Sequence, residues 1–377
     1  MFLLAWKILR AEWTRVALTL LGVTFAVVLM FFDIAAYLGF VQAASVLIDN
    51  ARADIWITLE NSENFDASRP FPERKVWRAK EVVGVADAEP MAKGWAQIKL
   101  KNGSTEMVMI IGVDPAADLR LPWLMRDGHA SSLKVDDTII VDESAMRRLD
   151  GLALNETAEI AGTAVKVVGI SRDVRSFTTY PTIFANYETA KRLAGVYRMT
   201  GAEQTTFILV NVAPGHAVDD VVQRLEKIEG VDAYSREDFS RRTRQYWIVR
   251  TGMGVGFGLT ALMGFLVGMV IVGQTIYSST LEHLREYGIL KAIGATGSEL
   301  ITLIMYQATA YAVLGYLVGT VIAAATRPGY EALGLKLVTT PGMRVAMLII
   351  TVAMCLGASI ASVRKALRVD PALVFRG

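Results

Sequence analysis

Cysteine, histidine and any surplus of charge are what this 377-residue chain has least of. Cys355 is the single cysteine and lies in an apolar run, so no disulfide can form within the chain. Any polar domain must hold itself together through its own apolar core. The three histidines, His129, His216 and His283, are scattered, with no H-E-x-x-H pair to seat a catalytic zinc. There is no G-x-S-x-G nucleophile elbow and no G-x-x-x-x-G-K-[ST] phosphate loop. Gly288 and Gly294 have the wrong spacing for that loop and no Lys-Ser or Lys-Thr follows them. With 39 basic against 37 acidic residues, no basic excess is available to neutralise a nucleic-acid backbone. No repeat of 20–50 residues and no low-complexity stretch is present, which excludes a solenoid. Nothing in this inventory supports an enzyme or a cofactor held by this chain.

Apolar residues are abundant. They make up 53% of the chain, and the mean hydropathy is positive at +0.38 despite a long polar middle. Val16–Phe32 is uncharged and Ile34–Ile48 nearly all apolar, with Asp33 alone between them. Further runs cover 251–277, 300–326 and 343–363. Each is near or above the roughly 20 residues a helix needs to cross the hydrocarbon core. The first run is too long for the apolar part of a signal peptide and has no small-residue cleavage site directly after it, so a spanning helix with a stalk over 16–48 is expected. Before it, residues 1–15 carry Lys7, Arg10 and Arg15 among Trp6, Trp13 and aliphatics, the pattern of an amphipathic helix lying at a headgroup surface.

From 49 to 250 the pattern becomes that of a soluble α+β domain. Six β-rich runs stand out near Asp54, Ala96, Met107, Thr138, Ala164 and Thr206. Asn102-Gly103 between two of them predicts a hairpin with a type I′ turn. The strand Thr206–Val212, a helix over Val218–Ile228 and a return at Val231–Tyr234 suggest a subdomain paired with the strands near Asp54 and Met107, with an inserted subdomain over about 115–203.

In the second apolar run Gly252, Gly256, Thr260, Gly264 and Gly268 recur every four residues, which puts them on one helix face where a neighbouring helix can come close. The third run ends at a short loop over 327–342, containing Pro328, Gly329 and Pro341. Three polar groups lie in or near the spans: Asp33, at an interface or inside the membrane, and Gln274 and Gln307, expected to bond between helices.

The segment 278–299 links two spans. In it Leu281, Leu284, Ile289, Leu290 and Ile293 alternate with Glu282, Arg285, Glu286 and Lys291, and Gly294 stands where a helix stop is expected. Pattern alone fits either a solvated connector or an amphipathic helix presenting one face to a partner. The string Glu286-x-Gly288-x-Leu290-Lys291-Ala292-Ile293-Gly294-Ala295 closely resembles the loop after the second membrane helix of FtsX-like permeases, the membrane subunits of ABC transporters of the MacB, LolC/LolE and DevC types. The ending Asp370-Pro371-Ala372-Leu373, in the tail 364–377, resembles the closing motif of the same family.

The resemblance implies an α-helical membrane protein with four spans and a large extracytoplasmic α+β domain between the first and second. It also implies a separate ABC ATPase subunit that binds ATP and magnesium, a homodimer or a pairing with a close homologue, and a periplasmic adaptor as a further partner. Leu284, Ile289 and Ile293 would then anchor the segment in the ATPase, Arg285, Glu286 and Lys291 would set its register, and Gly288 would allow close approach. Basic residues near the membrane are almost balanced between the two sides, so the inner-membrane topology with both termini cytoplasmic rests on the resemblance. Export is the expected function. Signalling to an envelope protein on the same scaffold is the alternative, and a stand-alone sensor without an ATPase the more distant one.

Overall fold

The computed structural model describes residues 13–174, 180–200, 203–332 and 335–368. The amphipathic helix expected over 1–15 and the motif Asp370–Leu373 therefore lie outside the described residues, apart from the start of the first long helix. The chain divides into two compact units, one formed by Met1–Gly39 with Met253–Gly377, the other by Phe40–Gly252.

The first unit is helical. Four helices are long and apolar enough to cross a membrane: Val16–Ala44, Met253–Glu282, Gly297–Tyr330 and Pro341–Leu367, the last bending at Ser359. They pack through small residues rather than through a hydrophobic drive, as helices in lipid must. A Cβ on Gly22 of the first helix would collide with Ile271 of the second. Gly315 and Gly319 of the third helix receive Val23 and Val27 of the first in the same way. Gly268 of the second helix lies against Met354 of the fourth and Ala26 of the first. The third helix continues through Pro328 and Gly329 to Ala332, so the loop expected from 327 begins later. Proline is tolerated there because only the last turn loses a hydrogen bond.

The second unit is α+β. Its strands are β1 (Ile55–Leu59), β2 (Phe71–Pro72), β3 (Val85–Lys99), β4 (Thr105–Val113), β5 (Met125–Gly128), β6 (Thr138–Asp142), β7 (Thr157–Ile160), β8 (Thr163–Ser171), β9 (Thr182–Asn186), β10 (Gln204–Thr205), β11 (Phe207–Val212) and β12 (Val231–Ser235). The main sheet runs β12-β1-β11-β3-β4-β9-β6-β8-β5, and β7 pairs with both β3 and β8. The strands β3, β4, β9, β6, β8 and β7 thus form a closed circuit around the core of Ile98, Val108, Ile110, Val141, Val167 and Ile183. Closure removes two sheet edges that would otherwise carry unpaired backbone groups.

Strand β3 belongs to both halves. Its first part pairs with β11 and its second with β4 and β7. The neighbours of β11 are therefore β1 and β3; the pairing with the strand near Met107 does not occur. Pro90, Gly94 and the charges of VADAEPMAKGWAQIK hide the length of this strand from pattern reading. The β3–β4 hairpin forms at Asn102-Gly103, but only Gly103 has a positive φ, +85°. Asn102 instead accepts the Ser104 N–H at 2.8 Å, so the turn is of the type I kind with a glycine bulge rather than I′.

The other half of the sheet carries helices Lys75–Lys80 and Val218–Leu225 over the core of Ile55, Ile57, Ile208 and Val210. Trp56, Phe65, Phe207 and Phe239 form an aromatic cluster with ring centroids 5.0–6.1 Å apart. The unit's two ends are tied by side chains. Asp49 accepts from Ser45, Ser240 and Arg244 at 2.7, 2.6 and 2.5 Å, joining helix Val46–Asn50 to helix Arg236–Gln245.

Candidate functional site

The link between the second and third long helices is built from three local signals. The second helix runs to Glu282 and breaks at His283, where the chain restarts as a helix over Leu284–Ala292. Gly294, at φ +106°, ends it. The Gly294 N–H donates to the Lys291 carbonyl at 3.1 Å and the Ala295 N–H to that of Leu290 at 2.8 Å, which is the paired closure of a Schellman cap. Glu299 then accepts the Thr296 N–H at 2.8 Å at the start of the third helix.

Two faces result. Tyr287, 1% exposed, and Gly288 face into the helical unit. Lys291 donates to the Leu367 carbonyl at 2.6 Å, where a cation also complements the negative end of the last helix. Arg285, Glu286, Ile289, Ala292 and Ile293 are exposed, with Ile289 at 43% and Ile293 at 76%. Their spacing puts them on one helix face, with aliphatics at its centre and charges at its first turn. Glu286 Oε2 is 2.8 Å from His283 Nδ1.

The expected residues thus separate. Ile289, Ile293, Arg285 and Glu286 face outward, and Leu284 is half-buried. Gly288 is buried inside the chain rather than open to an outside surface, and Lys291 binds the chain's own last helix. Tyr287, which anchors the segment, escapes sequence reading because an aromatic among charges reads as interfacial. The resemblance string does not distinguish the face it covers from the face it leaves open.

The glycine stripe also divides. Gly264 meets Leu29 and Met30, and Gly268 meets Met354 and Ala26. Gly252 lies before the helix at φ +72°, and neither it nor Gly256 has a neighbour at its Cβ position. The buried row instead runs Gly264, Gly268, Val272, Ile276 and Thr280. The Gly315-x-x-x-Gly319 pair of the third helix carries the same small-residue signal and makes the same kind of contact, though the stripe on the second helix is the more conspicuous in sequence. Asp33 is buried within the first helix and its Oδ2 accepts no hydrogen bond among the described residues. Gln307 is buried and Gln274 exposed; no hydrogen bond joins either side chain to another helix among the described residues.

In the α+β unit the notable ionisable group is Lys93 on β3. It is buried and donates to the carbonyls of Phe65 and Asp66 at 2.9 and 2.6 Å. Burial lowers its ammonium to about 8, against the attraction of Asp66. The Asp66 carboxyl is held above the usual carboxylate range by the same burial, opposed by Lys93 and by the Trp247 indole N–H at 3.1 Å. The arginines before the second long helix are engaged within this unit: Arg241 with Asp238, Arg244 with Asp49, and Arg250 with Glu63. Among the described residues, no group of three or more His, Cys, Asp or Glu could hold a metal.

Four long apolar helices, with an α+β unit of about two hundred residues between the first two in chain order, define a multi-pass membrane protein built around a large polar domain. The chain belongs to the MacB-like periplasmic core domain family, which it matches over residues 16–228, and it matches the FtsX-like permease C-terminal family over 258–371. An uncharacterized ABC transporter permease of Mycobacterium tuberculosis is 25% identical over 368 residues, covering 96% of each chain. The macrolide export ATP-binding/permease protein MacB of Burkholderia cenocepacia is 26% identical over 192 residues, 48% of this chain and 27% of that one. The periplasmic region of MacB from Actinobacillus actinomycetemcomitans is a similar solved structure, at 12% identity and a TM-score of 0.39, covering 52% of this chain and 94% of that one. The chain is thus an ABC transporter permease of the MacB/FtsX type.

Proposed function

We propose that this chain passes the ATP-driven motion of a separate ATPase subunit to its own α+β unit, in an export system of a bacterial inner membrane. The carrying observation is the outward face of helix Leu284–Ala292, with Ile289 and Ile293 at its centre and Arg285 and Glu286 at its start, braced from behind by Tyr287 and Lys291. An exposed aliphatic centre on a rigid support suits a groove in a partner. ATP and magnesium would be held by that partner. Both termini and this helix would lie in the cytoplasm and the α+β unit outside it, two copies or two close homologues would form the working assembly, and an adaptor protein would receive the motion outside. The name of the Burkholderia relative, which joins ATP binding, permease and macrolide export, supports export over signalling.

The test is ATPase capture and permease-stimulated ATP hydrolysis by the reconstituted complex. Interface centres concentrate binding energy, so Ile289→Asp with Ile293→Asp should cost at least about 2 kcal/mol, roughly thirtyfold in affinity. Glu286→Ala should lower stimulation with smaller loss of capture. Parent-like capture and stimulation by the double variant would reduce the helix to a connector.

A further inference from the structure

The four long helices are unequally covered. Across an eighteen-residue apolar stretch of each, 44%, 28% and 39% of residues are buried within the chain for the first, third and fourth, against 17% for the second, Met253–Glu282. Its buried row of Gly264, Gly268, Val272, Ile276 and Thr280 meets the helical unit, and much of the remaining surface is exposed. Lipid tails satisfy apolar side chains, so the exposure of Met263, Val267 and Val270 calls for no partner.

Gln274 is on that exposed surface too, about one turn inside the end of the apolar run 251–277, and its side chain makes no hydrogen bond among the described residues. Nothing in hydrocarbon replaces the water that an amide gives up. Three threonines of the same helix meet this need locally: Thr260, Thr275 and Thr280 donate to the carbonyls of Gly256, Ile271 and Ile276 at 2.9, 2.9 and 2.8 Å. The longer glutamine amide, with both donors and an acceptor, is exposed instead.

Gln274 also falls in a regular series. Gly256, Thr260, Met263, Val267, Val270 and Gln274 are all exposed, and the steps between them are four, three, four, three and four residues. That alternation keeps one seam facing a partner helix over its whole length. The seam carries no charge, so it selects no partner of opposite sign. Gly256 has open space at its Cβ position, which lets another helix come close at that end. An amide is complementary to itself, its N–H to a carbonyl of the same kind, and a two-fold axis brings a residue opposite its own copy.

We propose that this face of the second helix binds the same face of a second copy of this chain, the two helices running parallel and the Gln274 amides hydrogen-bonded to each other across the two-fold axis. A single polar position in an otherwise apolar seam fixes the register, because a slip would set each amide against valine or methionine. The contact gives the two-copy assembly of the proposed function its membrane interface, and it rests on that reading for the number of copies. Helix Leu284–Ala292 and its ATPase contact are not needed for it.

The experiment uses the full chain in membranes without the ATPase. In a Cys355→Ala background, which removes the single native cysteine, Val267→Cys, Gln274→Cys or Leu262→Cys is added. Val267 and Gln274 lie on the seam, whereas Leu262 is 51% exposed and about 120° away from Gln274 around the helix. Mild oxidation should join the first two variants into disulfide-linked dimers on a non-reducing gel and leave the third unjoined. In detergent, Gln274→Leu should weaken self-association of the full chain by roughly three- to thirtyfold, and Gln274→Asn, which keeps the amide, should recover part of it. Thermal unfolding in the same detergent checks that the variants are folded. Equal joining at all three positions, joining at none (the result for pairing with a close homologue), or parent-like self-association of Gln274→Leu would overturn the proposal. Joining on the seam by a chain that fails to capture the ATPase would uphold this contact while removing the ATPase reading.

Discussion

Lys93 shows how much one buried charge can depend on what surrounds it. Its ammonium is depressed to about 8 from an ordinary 10.5 because burial outweighs Asp66. A folded-state value below the unfolded one means the penalty stands in full below pH 8, where both states are charged, and vanishes above 10.5, where neither is. The contribution of Lys93 to stability should therefore rise with pH across that window. Lys93→Met should flatten the rise, as read by chemical denaturation of the α+β unit at several pH values. It should also leave the Phe65 and Asp66 carbonyls without their donor, a cost of about 1–3 kcal/mol for each buried acceptor. A second residue-scale contrast lies in the second long helix. Gly268→Leu has to push a branched side chain against Ala26 and Met354, so about 1–3 kcal/mol of overpacking is expected, whereas Gly256→Leu points into open space and should change subunit stability by less than about 0.5 kcal/mol. Thermal unfolding of the two variants in detergent compares them directly.

Among the elements, the link Leu284–Ala292 is the one whose end is most legible in sequence and whose faces are least so. Gly294 as a helix stop follows from backbone sterics, since φ +106° is a conformation that a side chain resists. Gly294→Ala should then cost about 1 kcal/mol or more and loosen the Schellman cap, seen as faster amide exchange at Ala295. The inward turn of Tyr287 and Gly288 is not legible in the same way. Apolar and charged residues alternate so closely there that two rotations of the helix bury similar surface. Contacts to the fourth helix, among them the bond from Lys291 to Leu367, choose between them. The course of β3 is hidden for a related reason. Lys93 sits where that strand passes from one partner to another, and no local period marks the point.

The whole molecule separates into a lipid-adapted unit and a water-adapted one, and the second has three apolar clusters of its own. A fragment from Phe40 to Gly252 should fold alone with one cooperative transition by circular dichroism. It contains no cysteine, so reductant should leave the midpoint unchanged, and a chelator should do the same. An unfolded spectrum would show that its clusters do not suffice. The pairing of Arg241, Arg244 and Arg250 with the unit's own carboxylates also bears on topology, because these charges are used in the fold and need not be read as signals for membrane orientation.

Local chemistry is enough to set the four long helices, the hairpin at Asn102-Gly103 and the end of the linking helix at Gly294. Each depends on residues within a turn or a run of one another, where backbone sterics and local hydropathy act unaided. Packing selects which glycines are used, since Gly264 and Gly268 meet Leu29 and Met354 only through the rotation of neighbouring helices. Packing also sets the double membership of β3 and the closure through β7, because strand pairing is a choice among distant partners and Ile98 finds Ile160 across the stretch of chain that carries β4, β5 and β6. Contacts with the rest of the helical unit fix which face of Leu284–Ala292 stays open, and on that choice the proposed ATPase contact depends.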